Sequence, residues 1–127
     1  MTPRFTLKIV TDFAAAHTLR DYPGDCSRMH GHNWKVEVEV VANALNAVGM
    51  GMDFKAIKQG AKDVINALDH QYLNELTPFL RVNPTAENLA LYLFQAVGER
   101  LNAPGVRVSA VTVWETERAC ARYSEDE

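Results

Sequence analysis

Residues 33–41 carry an apolar side chain at every second position. In an extended chain, Trp34, Val36, Val38 and Val40 fall on one face, and the charged residues between them fall on the other. A period of two is typical of a strand with one buried and one solvated face. The segment therefore predicts a β-sheet that other elements cover on one side only.

Five further segments carry a regular pattern. Residues 5–16 also alternate, and we expect them to form a strand that pairs antiparallel with the first. Residues 53–68 place apolar side chains three or four positions apart after an aspartate N-cap, which predicts an amphipathic helix. A second helix is predicted to begin at Thr85. Residues 106–115 and 119–123 have a β-rich composition and predict two more strands.

The order of these elements is ββααββ. It predicts an α+β fold, in which a four-stranded antiparallel sheet carries two helices on one face. At 127 residues the chain is too short to form two parts that each bury a core, so we expect residues 1–127 to form a single domain. Four strands leave two exposed edges, which pairing with another subunit often closes, so a symmetric homo-oligomer is expected.

The composition argues against two classes of partner, nucleic acids and membranes. The formal net charge is -3 and the pI is near 5.8, whereas a nucleic-acid or membrane-surface binder normally carries a basic patch. No apolar run approaches the roughly 20 residues of a membrane-spanning helix, and residues 1–10 lack the features of a signal peptide. We therefore expect a cytoplasmic protein without nucleic-acid or membrane partners.

Three of the four histidines lie at the end of one predicted strand and the start of the next. His30 and His32 are two residues apart, so both imidazoles point to one side of the sheet, and an antiparallel partner brings His17 beside them. Gly31 is expected to permit a close backbone approach or an unusual conformation between them. Three nitrogen ligands without an obvious fourth are typical of catalytic Zn2+. The alternatives are another divalent metal, or strand histidines that hold no metal.

The two cysteines are too few for a disulfide framework. Cys26 lies four residues before His30, where positive charge from the metal and from Arg28 favours a thiolate that could act as a base. Alternatively, Cys26 is a fourth zinc ligand in a structural site, or a loop residue without a role. Cys120 lies in a short predicted strand between alanines, and we expect it to pack against its neighbours.

An aspartate–histidine pair and a glutamate are further candidates for site residues. Asp69 and His70 are adjacent after the first predicted helix, and such a pair can transfer protons if the carboxylate orients the ring. The alternative is a histidine that satisfies the last carbonyls of the helix. Glu115, at the end of an apolar strand, could accept two parallel hydrogen bonds from an amidine-like edge of a ligand. Otherwise it is an ordinary solvated acid.

Six segments together resemble the family of 6-pyruvoyl-tetrahydropterin and 6-carboxy-tetrahydropterin synthases over almost the full chain. They are FAAAHTL (13–19), CSRMHGH (26–32), MDF (52–54), LDHQYLN (68–74), PTAEN (84–88) and WET (114–116). The resemblance implies the tunnelling fold, in which ββααββ subunits form a trimeric barrel. Two trimers then stack into a homohexamer with active sites between subunits, which agrees with the expectation from the sheet edges.

By position, the resemblance implies a role for every candidate residue. The zinc ligands are His17, His30 and His32. The resemblance further implies that Cys26 is the proton acceptor and that Asp69 and His70 are its catalytic partners. It implies that Glu115 is the pterin anchor. A cysteine four residues before the His-Gly-His segment is typical of the bacterial carboxy-forming branch, which serves queuosine synthesis.

For that branch the implied activity is a lyase reaction on a small-molecule pterin. It converts 7,8-dihydroneopterin triphosphate to 6-carboxy-5,6,7,8-tetrahydropterin, acetaldehyde and triphosphate, with Zn2+ as the only cofactor. The alternatives are the pyruvoyl-forming synthase, which shares every site residue, and a pterin- or zinc-binding protein without catalysis. Arg20, Arg28 and Lys35 are candidates for holding the triphosphate, because they are basic and near the motifs.

Overall fold

The computed structural model describes residues 3–24 and 27–125, and it confirms the α+β fold. The strands are β1 Phe5–His17, β2 His30–Ala42, β3 Gln71–Tyr72, β4 Val106–Thr116 and β5 Ala119–Ser124. The helices are α1 Phe54–Ile65 and α2 Ala86–Leu101. None of the described helices has both the length and the apolar character that crossing a membrane requires.

The strands form one sheet in the order β3-β1-β2-β4-β5. The four long strands pair antiparallel with one another, as predicted. The sheet also contains β3, a two-residue strand that pairs parallel with Ala15 and Ala16 of β1. So short a strand has no periodicity that could predict it. Its pairing ties the segment after α1 to the end of β1 that carries His17.

The core lies between one face of the sheet and the two helices. The apolar side chains that alternate along β2, which are Trp34, Val36, Val38 and Val40, are all fully buried. Burial of a large apolar side chain contributes about 1.5–3 kcal/mol, so this face holds the helices against the sheet. Both helices begin at side-chain caps, since Asp53 accepts from the amide of Lys55 and Thr85 from that of Asn88.

The opposite face of the sheet is polar, with exposed side chains such as Lys8, Asp12 and Lys35. The sheet of one chain is open, with β3 and β5 at its edges. β5 pairs Cys120 with Trp114, and the Cys120 side chain is exposed. The expectation that Cys120 packs against its neighbours is therefore wrong for the single chain.

The first helix is shorter than predicted. It ends at Ile65 rather than at Leu68, because the amides of Leu68 and Asp69 both bond to the carbonyl of Ile65 and tighten the chain into a turn. Leu68 is nevertheless buried in the core. The apolar period therefore predicted its burial correctly, although the helix stops before it.

Candidate active site

The end of β1 and the start of β2 bring three histidine rings together. His17 and His30 are directly opposite each other in the antiparallel pair, and His32 follows two residues later. The ring centroids are 4.5 Å apart for His17 and His30, 4.9 Å for His30 and His32, and 5.1 Å for His17 and His32. Antiparallel pairing alone therefore assembles this cluster from two distant sequence segments.

Backbone carbonyls determine which ring nitrogen carries the proton. Nδ1 of His17 lies 2.7 Å from the carbonyl oxygen of Pro84, and Nδ1 of His30 lies 2.7 Å from that of Arg28. A carbonyl oxygen only accepts, so in the neutral rings Nδ1 is the donor and Nε2 holds a lone pair. The two Nε2 atoms face each other at 2.9 Å. Two lone pairs repel at this distance, so the arrangement favours a cation between them.

His32 adds a third nitrogen without a hydrogen bond. Its Nε2 is buried and has no hydrogen-bond partner among the described residues, although Oε1 of Glu115 lies 3.3 Å away. Leaving a buried polar group unpaired costs about 1–3 kcal/mol, which a bound metal ion would offset. One ligand atom from each of four residues, His17, His30, His32 and Glu115, lies within 4.8 Å of all the others. Three imidazoles and a carboxylate fit a divalent ion such as Zn2+.

Burial keeps two of the rings neutral. It is the main cause that lowers the pKa of His17 below its ordinary value, although the hydrogen bond to Pro84 acts in the opposite direction. Burial likewise lowers the pKa of His32, against the charge of Glu115. Imidazole binds metal only in its neutral form, so these shifts favour metal binding at neutral pH.

Trp34 closes the cluster on the side of the core. Its ring is fully buried and packs edge-on against His17 at 4.9 Å and His32 at 5.1 Å between centroids. Its Nε1 donates to the carbonyl of Ala15 at 3.2 Å, which holds the ring in place. The alternation of β2 predicts only a core position for Trp34. It also puts Trp34 on the same strand face as His30 and His32, which is the sequence signal for this contact.

Asp69 and His70 dock onto β1 three residues before His17. Oδ1 of Asp69 accepts from the amide of Ala14 at 2.9 Å, and the amide of His70 donates to the carbonyl of Ala14 at 2.6 Å. His70 adopts the left-handed backbone conformation, with φ of 60°, which turns its side chain outward. Its Nδ1 lies 3.0 Å from Oδ1 of Asp69, and the side chain is 81% exposed. The carboxylate therefore orients the ring.

Two grooves meet at Gly31, His32 and Asn33. One has a volume of about 540 Å³ and is also lined by His70, and the other has a volume of about 730 Å³ and is also lined by Glu115. Binding sites for small molecules commonly measure about 300–1,000 Å³. His32, His70 and Glu115 therefore border the same open region. Cys26 lies outside the described residues, so its role stays a prediction.

Gly31 does not have the conformation expected of it. It continues the extended strand, and its φ is not in the left-handed region. A Cβ at this position would contact only the carbonyl oxygen of Ala15, at an ordinary 3.8 Å. The expected close approach or unusual conformation is therefore wrong. The missing side chain instead leaves space in both grooves.

The three basic residues considered for phosphate binding, Arg20, Arg28 and Lys35, differ in their contacts. The guanidinium of Arg20 donates to three backbone carbonyls, those of Asn74, Phe79 and Val82. Arg20 therefore holds a loop together, and its use for phosphate is not supported. Lys35 lies with its Nζ 4.5 Å from the ring centroid of Trp114 and lines the larger groove, and Arg28 is exposed.

Two asparagines for which the sequence predicts no role hold the segment after His17. Asn74 accepts from the amide of Thr18 and donates to its carbonyl, both at 2.9 Å. Asn83 makes the same reciprocal pair with Arg20, at 2.9 and 3.0 Å. These bonds fix where the chain leaves the histidine cluster. No local sequence pattern predicts these hydrogen bonds, because each asparagine lies more than 50 residues from its partner.

The chain matches the sequence profile described as 6-pyruvoyl tetrahydropterin synthase over residues 6–126. It belongs to that family. A relative from Synechocystis, named 6-carboxy-5,6,7,8-tetrahydropterin synthase, is 36% identical over 116 residues, covering 87% of this chain and 86% of the relative. A relative from Pyrococcus furiosus, named dihydroneopterin monophosphate aldolase, is 34% identical over 104 residues, covering 81% of this chain and 82% of the relative.

The fold is that of the 6-pyruvoyl tetrahydropterin synthase family. The structure of 6-pyruvoyl tetrahydropterin synthase from Caenorhabditis elegans is 26% identical to this chain and superposes with a TM-score of 0.87, covering 98% of both chains. The resemblance found in the six sequence segments is thereby confirmed. The chain is an enzyme of the 6-pyruvoyl tetrahydropterin synthase family.

Proposed function

We propose that this enzyme converts 7,8-dihydroneopterin triphosphate to 6-carboxy-5,6,7,8-tetrahydropterin, acetaldehyde and triphosphate, as a cytoplasmic step of queuosine synthesis. The name of the Synechocystis relative supports the pterin product. The observation that carries the proposal is the pair of facing Nε2 atoms of His17 and His30, beside the unpaired Nε2 of His32. His32 lines two grooves that are large enough for a pterin.

The metal in this proposal is Zn2+, held by His17, His30 and His32. When bound, zinc supplies Lewis acidity to the side-chain oxygens of the substrate. The carbonyls of Pro84 and Arg28 hold two of the rings so that their Nε2 atoms converge. Such outer contacts fix the tautomer and raise the basicity of metal-binding imidazoles.

Proton transfer is assigned to three residues. Cys26, as a thiolate, removes a proton from the substrate side chain, since a nearby cation lowers the pKa of a thiol. Asp69 orients the exposed ring of His70, which returns or relays a proton at the groove. Glu115 accepts two parallel hydrogen bonds from the amidine edge of the pterin and so positions the reacting carbons.

The proposed assembly is a homohexamer built as a dimer of trimers. Its support is the open sheet, whose edge strands β3 and β5 each pair on one side only among the described residues. A histidine with an 81% exposed side chain is poorly shielded from water, and a neighbouring subunit over His70 would close the grooves. Light scattering on the purified protein measures the subunit number.

One incubation tests the reaction. The zinc-loaded enzyme is incubated with 7,8-dihydroneopterin triphosphate, and the products are analysed by mass spectrometry with an assay for acetaldehyde. Acetaldehyde together with 6-carboxy-5,6,7,8-tetrahydropterin is the expected result. A pyruvoyl product without acetaldehyde would identify the alternative synthase, the activity named for the Caenorhabditis elegans structure.

Two further arms complete the test. Dihydroneopterin monophosphate is supplied in parallel, because the Pyrococcus furiosus relative is named for an aldolase acting on it. Turnover of the monophosphate alone would contradict the proposal. Tight binding of either pterin without any turnover would identify a non-catalytic pterin-binding protein.

A further inference from the structure

Glu115 lies nearer to the histidine cluster than a pterin anchor requires. Its Oε1 is 3.3 Å from Nε2 of His32, and it belongs to the group of four ligand atoms within 4.8 Å of one another. The contact lacks hydrogen-bond geometry, since Nε2 of His32 has no hydrogen-bond partner among the described residues. A carboxylate and an imidazole that face each other without a hydrogen bond can serve as two ligands of one ion.

The spacing of the ligand atoms supports the interpretation that Glu115 and the histidines bind one ion. Ligands about 2.0–2.1 Å from a tetrahedral zinc ion lie roughly 3.3 Å from one another. Two separations lie close to this value, 2.9 Å between Nε2 of His17 and Nε2 of His30, and 3.3 Å between Nε2 of His32 and Oε1 of Glu115. The remaining separations are within 4.8 Å, so small side-chain movements complete a tetrahedron.

We infer that Glu115 is the fourth metal ligand of the enzyme while the pterin is absent, and that its carboxylate leaves the metal to bind the pterin ring. The inference rests on the proposed metal site and on the proposed role of Glu115. One carboxylate then has two alternative partners. Pterin binding would open a coordination position for the substrate oxygens only when the ring is already held.

This arrangement gives a physical reason for ordered binding. A metal with three histidine ligands and an open position would bind water or unrelated oxygen ligands when no substrate is present. Glu115 fills that position, and its release is coupled to recognition of the amidine edge. Glu115 is half-buried at the end of β4, beside the groove, so its side chain has room to turn.

The experiment uses the full-length protein loaded with Co2+, whose visible absorption depends on its ligands and coordination number. We compare wild type with Glu115→Gln and with Glu115→Asp, which keeps the charge but shortens the reach. Glu117→Gln is the matched control, because this exposed acid lines the same groove and changes the charge equally. Thermal unfolding of the metal-free proteins shows that each variant is folded.

The expected result is a changed Co2+ spectrum in both Glu115 variants and an unchanged one in the control. Zinc dissociation constants, measured against a chromophoric chelator, should rise about 10–100-fold in the Glu115 variants only. Unsubstituted pterin, which has no side-chain oxygens, should shift the wild-type spectrum because it draws the carboxylate away.

Three results overturn the inference. If Glu115→Gln keeps the wild-type spectrum and zinc affinity, Glu115 is not a ligand, while the three-histidine site stands. If pterin leaves the wild-type spectrum unchanged, the exchange does not occur. If the wild-type protein takes up neither Co2+ nor Zn2+, the proposed metal site fails as well.

Discussion

Nε2 of His17 and Nε2 of His30 face each other at 2.9 Å, while Nδ1 of each ring bonds to a backbone carbonyl. In the neutral rings neither Nε2 can donate, so only a shared proton or a metal ion relieves their repulsion. Protonation is opposed at His17, where burial lowers the pKa. The relationship therefore favours a metal site over a cluster of hydrogen-bonded strand histidines.

Replacing His30 with alanine should strip the metal. Two imidazoles and a carboxylate would remain, and we expect zinc content after dialysis to fall from about one ion per chain to near zero. Elemental analysis by mass spectrometry measures it. His70→Ala is the control, because this exposed ring is outside the group of four ligand atoms and its loss should leave zinc in place. Full zinc content in His30→Ala would disprove the three-histidine assignment.

Asp69→Asn should lower turnover without removing zinc. The pKa of Asp69 is lowered, mainly by the amide of Ala14, so the carboxylate is charged at neutral pH and holds the ring of His70. An amide keeps an oxygen for Ala14 but loses that charge. General acid–base catalysis contributes about 10²–10⁴-fold, and we expect kcat to fall within this range. Asp63→Asn, a change on the exposed face of α1, is the control. Equal kcat values for the two variants would contradict the role of the pair.

Cys26→Ala distinguishes a base from a ligand. If the thiolate removes a proton, the variant keeps its zinc and its fold but loses turnover, again by about 10²–10⁴-fold. Zinc content, thermal unfolding and product formation are measured on the same preparation. Cys120→Ala, in the exposed position on β5, should change none of them. Loss of zinc from Cys26→Ala would make Cys26 a ligand and the site structural.

The positions of the histidines on their strands could be predicted from the sequence, because strand periodicity is local. A spacing of two puts His30 and His32 on one face, and antiparallel pairing puts His17 opposite His30. The same periodicity places Trp34 on that face, but it does not show that the ring packs against the histidine cluster.

The contacts that orient these rings could not be predicted. The carbonyl of Pro84 reaches His17 across 67 residues, and β3 joins the sheet through only two residues. Both depend on how loops return to the sheet, which no apolar pattern describes. For Arg20, basic charge near a motif suggests phosphate binding. In the structure its guanidinium instead donates to backbone carbonyls, which the sequence does not indicate.

Asn74→Ala should destabilise the protein. The Asn74 side chain is buried and makes two hydrogen bonds to Thr18, the residue directly after His17. Its loss leaves a backbone donor and acceptor unpaired, which costs about 1–3 kcal/mol. Chemical denaturation measures the change in the free energy of unfolding. Asn66→Ala, at an exposed position, serves as the control and should change it by less than about 0.5 kcal/mol. Equal effects would show that the clamp on Thr18 does not stabilise the fold.

Gly31→Ala should impair substrate binding and leave the fold and metal unchanged. The new methyl group meets only the carbonyl of Ala15 at 3.8 Å, so nothing in the chain must move. It does, however, enter the space at Gly31 that both grooves share. A single misplaced methyl group in a binding site costs about 1–3 kcal/mol, so kcat/KM should fall about 10–200-fold, chiefly through KM. Zinc content and the melting temperature of the same variant, both at wild-type values, show that the effect is local. A kcat/KM within about twofold of wild type would mean that the substrate does not lie against Gly31, and the pterin would then have to bind elsewhere along the grooves.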